Sequence, residues 1–172
     1  MPTLVLTLIG PDRAGLVEAV AAVVADHGGN WLESRMSRLA GQFAGILEVE
    51  VPEEQVGALK VALQGLGRRG LNVVAEGAGV GSSGKGDRTL SLEVVGQDRP
   101  GIVREISQAL ARRGVNVEEL RTGRESAPMS GEALFRAWAR LRLAGATDQE
   151  ELRATLEAIA ADLMVDLSLE ES

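Results

Sequence analysis

Gly10–Val17 reads GPDRAGLV, and Gly96–Val103 reads GQDRPGIV. Asn30 follows the first stretch and Asn116 the second, both at the same offset of 86 positions. One offset shared across a loop, a helix and a turn implies two copies of a single folding unit. Such a repeat fixes the architecture before any shorter motif is weighed.

Around this repeat the chain runs to 172 residues, enough for two units of about 80 residues, each able to bury a modest core. The expected bounds are a first unit at 1–76, a Gly/Ser-rich linker at 77–88 and a second unit at 89–172. There is no cysteine, which removes disulfides and thiolate metal sites; no metal and no cofactor is expected. The start, MPTLVLTLIGPD, has no basic segment before its apolar run, unlike a signal peptide. No apolar stretch approaches the roughly 20 residues of a membrane span. The expectation is a cytoplasmic protein without membrane contact. A net charge of −7 argues against direct nucleic-acid binding, which relies on clustered Lys and Arg. Trp31, Trp138, Phe43 and Phe135 are the whole aromatic set, too few for base-stacking platforms.

Within each copy the hydrophobic pattern gives the order of elements. Thr3–Ile9 and Thr89–Val95 read as strands, with Leu90, Leu92 and Val94 alternating against Ser91 and Glu93. Leu16, Val17, Val20, Val23 and Val24 form an apolar stripe at helical spacing, as do Ile102, Val103, Ile106 and Leu110. Gly28 and Gly114 are placed to end these helices in the left-handed conformation, approached through His27 and Arg113. Trp31–Arg38 opens the next strand. Phe43, Gly45, Leu47, Val49 and Val51 then share one face of another. Phe135, Ala137, Ala139, Leu141 and Leu143 match them 92 positions later, which fixes the register because a one-residue slip inverts every side chain. The larger offset places about six extra residues around Glu125–Gly131. Second helices carry Val56, Leu59, Leu63 and Leu66, and Leu152, Leu156, Ile159 and Leu163; final strands run Leu71–Glu76 and Met164–Leu169. Each copy therefore reads β-α-β-β-α-β. The predicted fold is α+β: two ferredoxin-like units, each a four-stranded antiparallel sheet with two helices on one face.

The segment GAGVGSSGKGD at Gly77–Asp87 matches G-x-G-x-x-G and G-x-x-x-x-G-K. A phosphate loop must open a helix. This one opens a strand, and Gly86 stands where Ser or Thr is required, so it reads as a flexible linker with a reach of about 20 Å.

The strand-to-helix loops are the candidate binding sites. Asp12 and Asp98 are placed to cap their helices, and Pro100 suits a helix start. Gly15 and Gly101 lack a Cβ, so a ligand can approach the backbone. Helix-opening amides favour a carboxylate, and Asn30 and Asn116 can donate and accept. These groups suit a small zwitterion, its carboxylate on the amides and its ammonium on Asp, Asn and backbone carbonyls. The same residues also serve as ordinary turn and cap chemistry.

β-α-β-β-α-β units with D-R-P-G before the first helix and G-x-N after it resemble ACT domains, regulatory modules that often bind amino acids where paired units meet. The resemblance covers nearly the whole chain. Ala127-Pro128-Met129-Ser130-Gly131, followed by Leu134-Phe135, further resembles the second unit of the glycine cleavage system transcriptional repressor family. By that resemblance the ligand contacts are Asp12, Gly15 and Asn30, with Arg13, Ala14 and Leu16 in the same loop. In the second copy they are Asp98, Gly101 and Asn116, with Arg99, Pro100 and Ile102. The resemblance implies glycine or serine as ligand, a homo-oligomer, and repression through a DNA-binding transcriptional activator. Ala14 in place of Pro100, and Trp31 where Val117 follows the second Asn, imply that the two loops differ.

Two other classes stand beside a regulator: a stand-alone amino-acid sensor or assembly module, and an enzyme. Catalysis has little to draw on. His27, the single histidine, lies at a helix end without a cysteine partner. Glu53–Glu54 and Glu150–Glu151 suit helix starts, and Ser130 has no adjacent base. Arg121 and Arg124 offer an anion site or a solvated strand. Glu48 and Glu50 correspond to Arg140 and Arg142 in the other copy, a complementarity that would join equivalent faces.

Overall fold

The structure, a computed structural model, describes residues 1–81 and 84–172; the expected linker includes Ser82 and Ser83, which lie outside the described residues. The chain divides into two compact units, Met1–Gly81 and Ser82–Ser172. The first contains β1 (Thr3–Pro11), α1 (Leu16–Asp26), β2 (Asn30–Leu39), β3 (Gln42–Glu50), α2 (Val56–Gln64) and β4 (Asn72–Gly77). The second contains β5 (Arg88–Gln97), α3 (Ile102–Arg112), β6 (Asn116–Ser126), β7 (Ala133–Leu143), α4 (Gln149–Leu163) and β8 (Val165–Glu171). The sheets have the orders β2-β3-β1-β4 and β6-β7-β5-β8, every pairing antiparallel. This is the β-α-β-β-α-β fold that the periodicity predicts, twice.

Alternation along the strands decides which face meets the helices. Leu4, Leu6 and Leu8 of β1 bury with Leu47 and Val49 of β3, and Leu16, Val20, Val24, Leu59 and Leu63 of the helices close over them. Leu90, Leu92 and Val94 bury with Ala139, Leu141 and Leu143 under Ile102, Ile106, Leu110, Leu152 and Leu156 in the second core. No side chain buried among the described residues is polar or charged. Two expected stripe residues leave the core. Val17 is 47% exposed and Val103 42%. The buried line of α1 runs through positions spaced by four, 16, 20 and 24, and the next residue is turned about 100° away. Both valines stand on the shoulder of their helix.

The helix ends follow local chemistry. Gly28 and Gly114 take φ of 69° and 68°, the left-handed endings expected of them. His27 donates Nδ1–H to the Val23 carbonyl at 2.7 Å, and Arg113 binds Glu151 at 2.7 Å and the Thr155 hydroxyl at 2.8 Å. Both bond to neighbours at a helix end. Met164, expected in the last strand, instead caps α4 with φ 53°, and β8 begins at Val165. Asp148 caps the start of α4 by accepting from the Glu150 and Glu151 amides at 3.0 and 3.2 Å. Glu53 and Glu54 lie in a 3-10 turn ahead of α2.

The six-residue insertion lengthens the second hairpin. β2 and β3 are joined by Ala40 and Gly41 alone, whereas β6 and β7 are joined through 127–132, closed by the Ala127 amide on the Glu132 carbonyl at 2.7 Å. Gly84 and Asp87 close a turn on each other at 2.7 Å and lead into β5, so the glycine-rich segment does not open a helix.

Leu6 and Leu92 are equivalent core positions, exposed by 0% and 3%. Leu6→Ala and Leu92→Ala are each expected to cost about 2–5 kcal/mol in urea unfolding. A loss below about 1 kcal/mol at either would contradict the assigned core.

Candidate functional site

The repeated motif has two glycines per copy with separate physical duties. A Cβ on Gly10 would lie 2.8 Å from the Gly70 carbonyl oxygen, and one on Gly96 would lie 2.5 Å from Val165 Cγ1. The first glycine therefore lets the neighbouring strand close in. The second has the opposite surroundings. Gly15 and Gly101 adopt φ of 92° and 94°, and a Cβ on either would meet nothing within 4 Å. Only the backbone conformation demands glycine there, and the space beside it is open.

Each left-handed glycine occupies the N-cap position of its helix, and its carbonyl receives the first helical bond, from Ala19 in one unit and Glu105 in the other, both at 2.9 Å. The loop before it is tied to the hairpin. The Asp12 amide donates to the Gly41 carbonyl and the Asp98 amide to the Ala133 carbonyl, again both at 2.9 Å.

This geometry corrects the expected caps. Neither α1 nor α3 has a side-chain cap, because the glycine occupies the capping position and the aspartate lies three residues earlier. The carboxylates turn instead to arginines on the edge strands β2 and β6. Asp12 pairs with Arg38, and Asp98 pairs with Arg124 at 2.8 Å. These arginines are themselves 86 positions apart, so the same ion pair is built twice at the same place. Both arginine side chains are more than two-thirds exposed, and pairs of that kind contribute about 0–1 kcal/mol. They are cheap to open.

In the first unit Asp12, Arg13, Gly15 and Leu16 surround a cavity of about 210 Å³ together with Phe43. Phe43 is the cross-strand neighbour of Arg38. Ala14 does not line it. In the second unit Ile102 turns inward to an apolar cavity of about 50 Å³, which Phe135, the neighbour of Arg124, also lines. Asp98, Arg99, Pro100 and Gly101, the loop that precedes Ile102, do not line it. Asn30 and Asn116 stand elsewhere. They pair with Glu50 and Arg142, and Glu50 lies opposite Thr3 at the start of β1, whereas the loop leaves β1 after Pro11. A strand of that length separates them by about 26 Å, so neither asparagine reaches the loop of its own unit.

Arg124 was a candidate anion contact in the sequence, and Arg38 is the one that the sequence reading missed; its signal was an arginine repeated at the motif's offset. The other arginines near the insertion are engaged. Arg121 binds Glu119 at 2.7 Å and lies over the Trp138 ring at 5.2 Å. Arg136 binds Glu93 and Glu125; the hydrogen bond and charge of Glu125 raise its guanidinium above the ordinary arginine value. Arg140 pairs with Glu119 at 3.3 Å and Arg142 with Asp87 at 3.8 Å, inside the second unit. Among the described residues no group of three His, Cys, Asp or Glu is placed to hold a metal ion. No helix among them is long and apolar enough to cross a membrane.

Comparison with known proteins agrees with this architecture. Two family models, each described as an ACT domain, match residues 2–74 and 90–162. A UPF0237 protein of Methanopyrus kandleri is 33% identical over 79 residues, 44% of this chain and 88% of that protein. The crystal structure of an unknown protein from Galdieria sulphuraria superimposes with a TM-score of 0.86 at 29% identity, covering 99% of this chain and 98% of that one. That of a candidate glycine cleavage system transcriptional repressor superimposes with a TM-score of 0.72 at 20% identity, covering 98% and 96%; at that identity the likeness is one of fold. The chain belongs to the ACT-domain family, with two domains in tandem.

Because backbone angle alone holds Gly15 and Gly101, Gly101→Ala is expected to cost about 1–2 kcal/mol. Gly101→Asn is expected to cost less, since asparagine tolerates the left-handed region. Urea unfolding of the two variants measures the difference. Alanine and asparagine of equal stability would show that φ does not govern this position.

Proposed function

We propose that this tandem ACT protein is an amino-acid-responsive regulator, not an enzyme, and that it restrains transcription of a glycine cleavage operon through a protein partner. The observation that carries the reading is the duplicated loop. Twice the fold sets an open, left-handed glycine at a helix start beside an aspartate–arginine pair that little energy is needed to part. A free α-amino acid supplies both charges that such a pair can exchange for, and the helix-opening amides add attraction for its carboxylate. Membership of the ACT family supports an amino-acid ligand. Glycine or serine is proposed for the first unit. The other sequence candidates, Arg13, Ala14, Leu16, Arg99, Pro100 and Ile102, stay proposed as the frame of the two loops.

Likeness in fold to the candidate repressor over nearly the full chain supports the transcriptional reading. The acidic balance, 25 Asp and Glu against 18 Lys and Arg, favours contact with a DNA-binding activator over contact with DNA. A homo-oligomer is proposed as well. Ile9, Ile46 and Val74 are exposed large apolar residues on the helix-free face of the first sheet, where Ile46 and Val74 flank Thr7 in one row.

Glycine or serine at 100 times its dissociation constant is expected to stabilise the protein by about 2.7 kcal/mol, seen as a rise in Tm. Co-purification with the glycine cleavage activator is expected to change when glycine is added. A protein whose melting no amino acid shifts would overturn the ligand reading. Tight, salt-sensitive binding to duplex DNA would overturn the partner reading.

A further inference from the structure

The two units share a backbone plan but cover the space beside α1 and α3 differently. In the first unit, Trp31 and Met36 of the edge strand pack against the core. Met36 lies over Gly45 so closely that a Cβ there would meet Met36 Cγ at 2.6 Å. Trp31 is held by its Nε1–H donating to the Ser34 hydroxyl at 3.2 Å. The equivalent edge residues in the second unit are Val117 and Thr122, opposite Leu141 and Ala137. The inner strand also shrinks, with Ala139 at the position matching Leu47. Bulk is lost on the sheet side at these three positions, while Val20 and Gly45 correspond to the larger Ile106 and Ala137.

What remains is a groove between α3 and β6, walled by Ile106, Phe135, Ala137 and Ala139, with no charged residue in its lining. Val103, Val117 and Leu120 line it and stay 42%, 40% and 51% exposed. Its volume of about 50 Å³ gives room for about three to five water-sized groups, which suits a short aliphatic side chain and not an aromatic ring. Two of its lining residues adjoin the charged loop: Ile102 follows Gly101 directly, and Phe135 is the cross-strand neighbour of Arg124, the partner of Asp98.

We infer that the second unit binds an α-amino acid with a branched aliphatic side chain, so that the two domains of one chain read different amino acids. The ligand's carboxylate takes the Arg124 guanidinium, its ammonium takes the Asp98 carboxylate, and its side chain enters the groove that Trp31 and Met36 occupy in the first unit. Opposite charges at one end and an apolar trough at the other are the two halves of such a ligand. This inference rests on the amino-acid reading of the loops given above.

The test is isothermal titration of the full-length protein with glycine, L-serine, L-valine, L-leucine and L-isoleucine. An aliphatic amino acid is expected to bind the second unit at least about tenfold tighter than glycine does, since one methylene in an apolar pocket already discriminates by that order. Val117→Trp with Thr122→Met, which rebuilds the first unit's cover, is expected to abolish aliphatic binding and leave glycine binding unchanged. Arg124→Gln, an exposed change that spares the core, is expected to weaken aliphatic binding at least tenfold. Glycine or serine binding without any aliphatic binding would overturn the inference and leave the proposed function standing. So would aliphatic binding that survives the groove-filling pair and Arg124→Gln alike. Silence from all five amino acids would overturn both.

Discussion

At Gly15 and Gly101 the backbone turns left-handed just as a helix begins, and much else follows from that turn. A residue with φ near 90° at the N-cap leaves no side chain to cover the first helical amides. The preceding aspartate, held to the hairpin by its own amide, has no helix end to cap. It is left to meet an arginine across the loop. A small opening with charges of both signs results. It requires no buried charge and no strained side chain, only a position where any Cβ is penalised by about 1–2 kcal/mol.

The surrounding fold makes that turn reproducible. Gly10 and Gly96 let the neighbouring strand close in, and two leucine-rich cores hold sheet and helices in place. Repetition then frees one copy to diverge. The first unit keeps its edge covered by Trp31 and Met36, while the second exchanges those residues for smaller ones and opens an apolar groove. The outer sheet faces diverge too: Thr7 and Ile46 of the first correspond to Glu93 and Trp138 of the second. The two modules thus present different side chains on the same scaffold.

The fold was legible in the sequence because periodicity and repetition are local, redundant signals. The inward set Phe43 to Val51, matched by Phe135 to Leu143, fixed strand register, and Gly28 and Gly114 ended their helices as turn chemistry dictates. The site was less legible because it depends on backbone angle and cross-strand reach. Asp12 and Asp98 looked like caps until the glycines after them took the capping position. Arg124 stood out beside the insertion, but its counterpart Arg38 was hidden in a strand, visible only through the repeat offset. Asp148 with Glu151 three residues on is a readable cap signal, and the structure places the cap there. Val17 and Val103 fit the helical stripe by spacing yet lie at its margin, a matter of a single rotation step that composition does not resolve.

The most direct measurement of whether these bends receive a small charged metabolite is backbone amide NMR of the full-length protein during titration with glycine and then leucine. Saturable shifts centred on residues 13–17 with glycine and on 99–103 with leucine are the expected result. Shifts centred elsewhere, or amides at Gly15 and Gly101 that do not move under either ligand, would contradict the account.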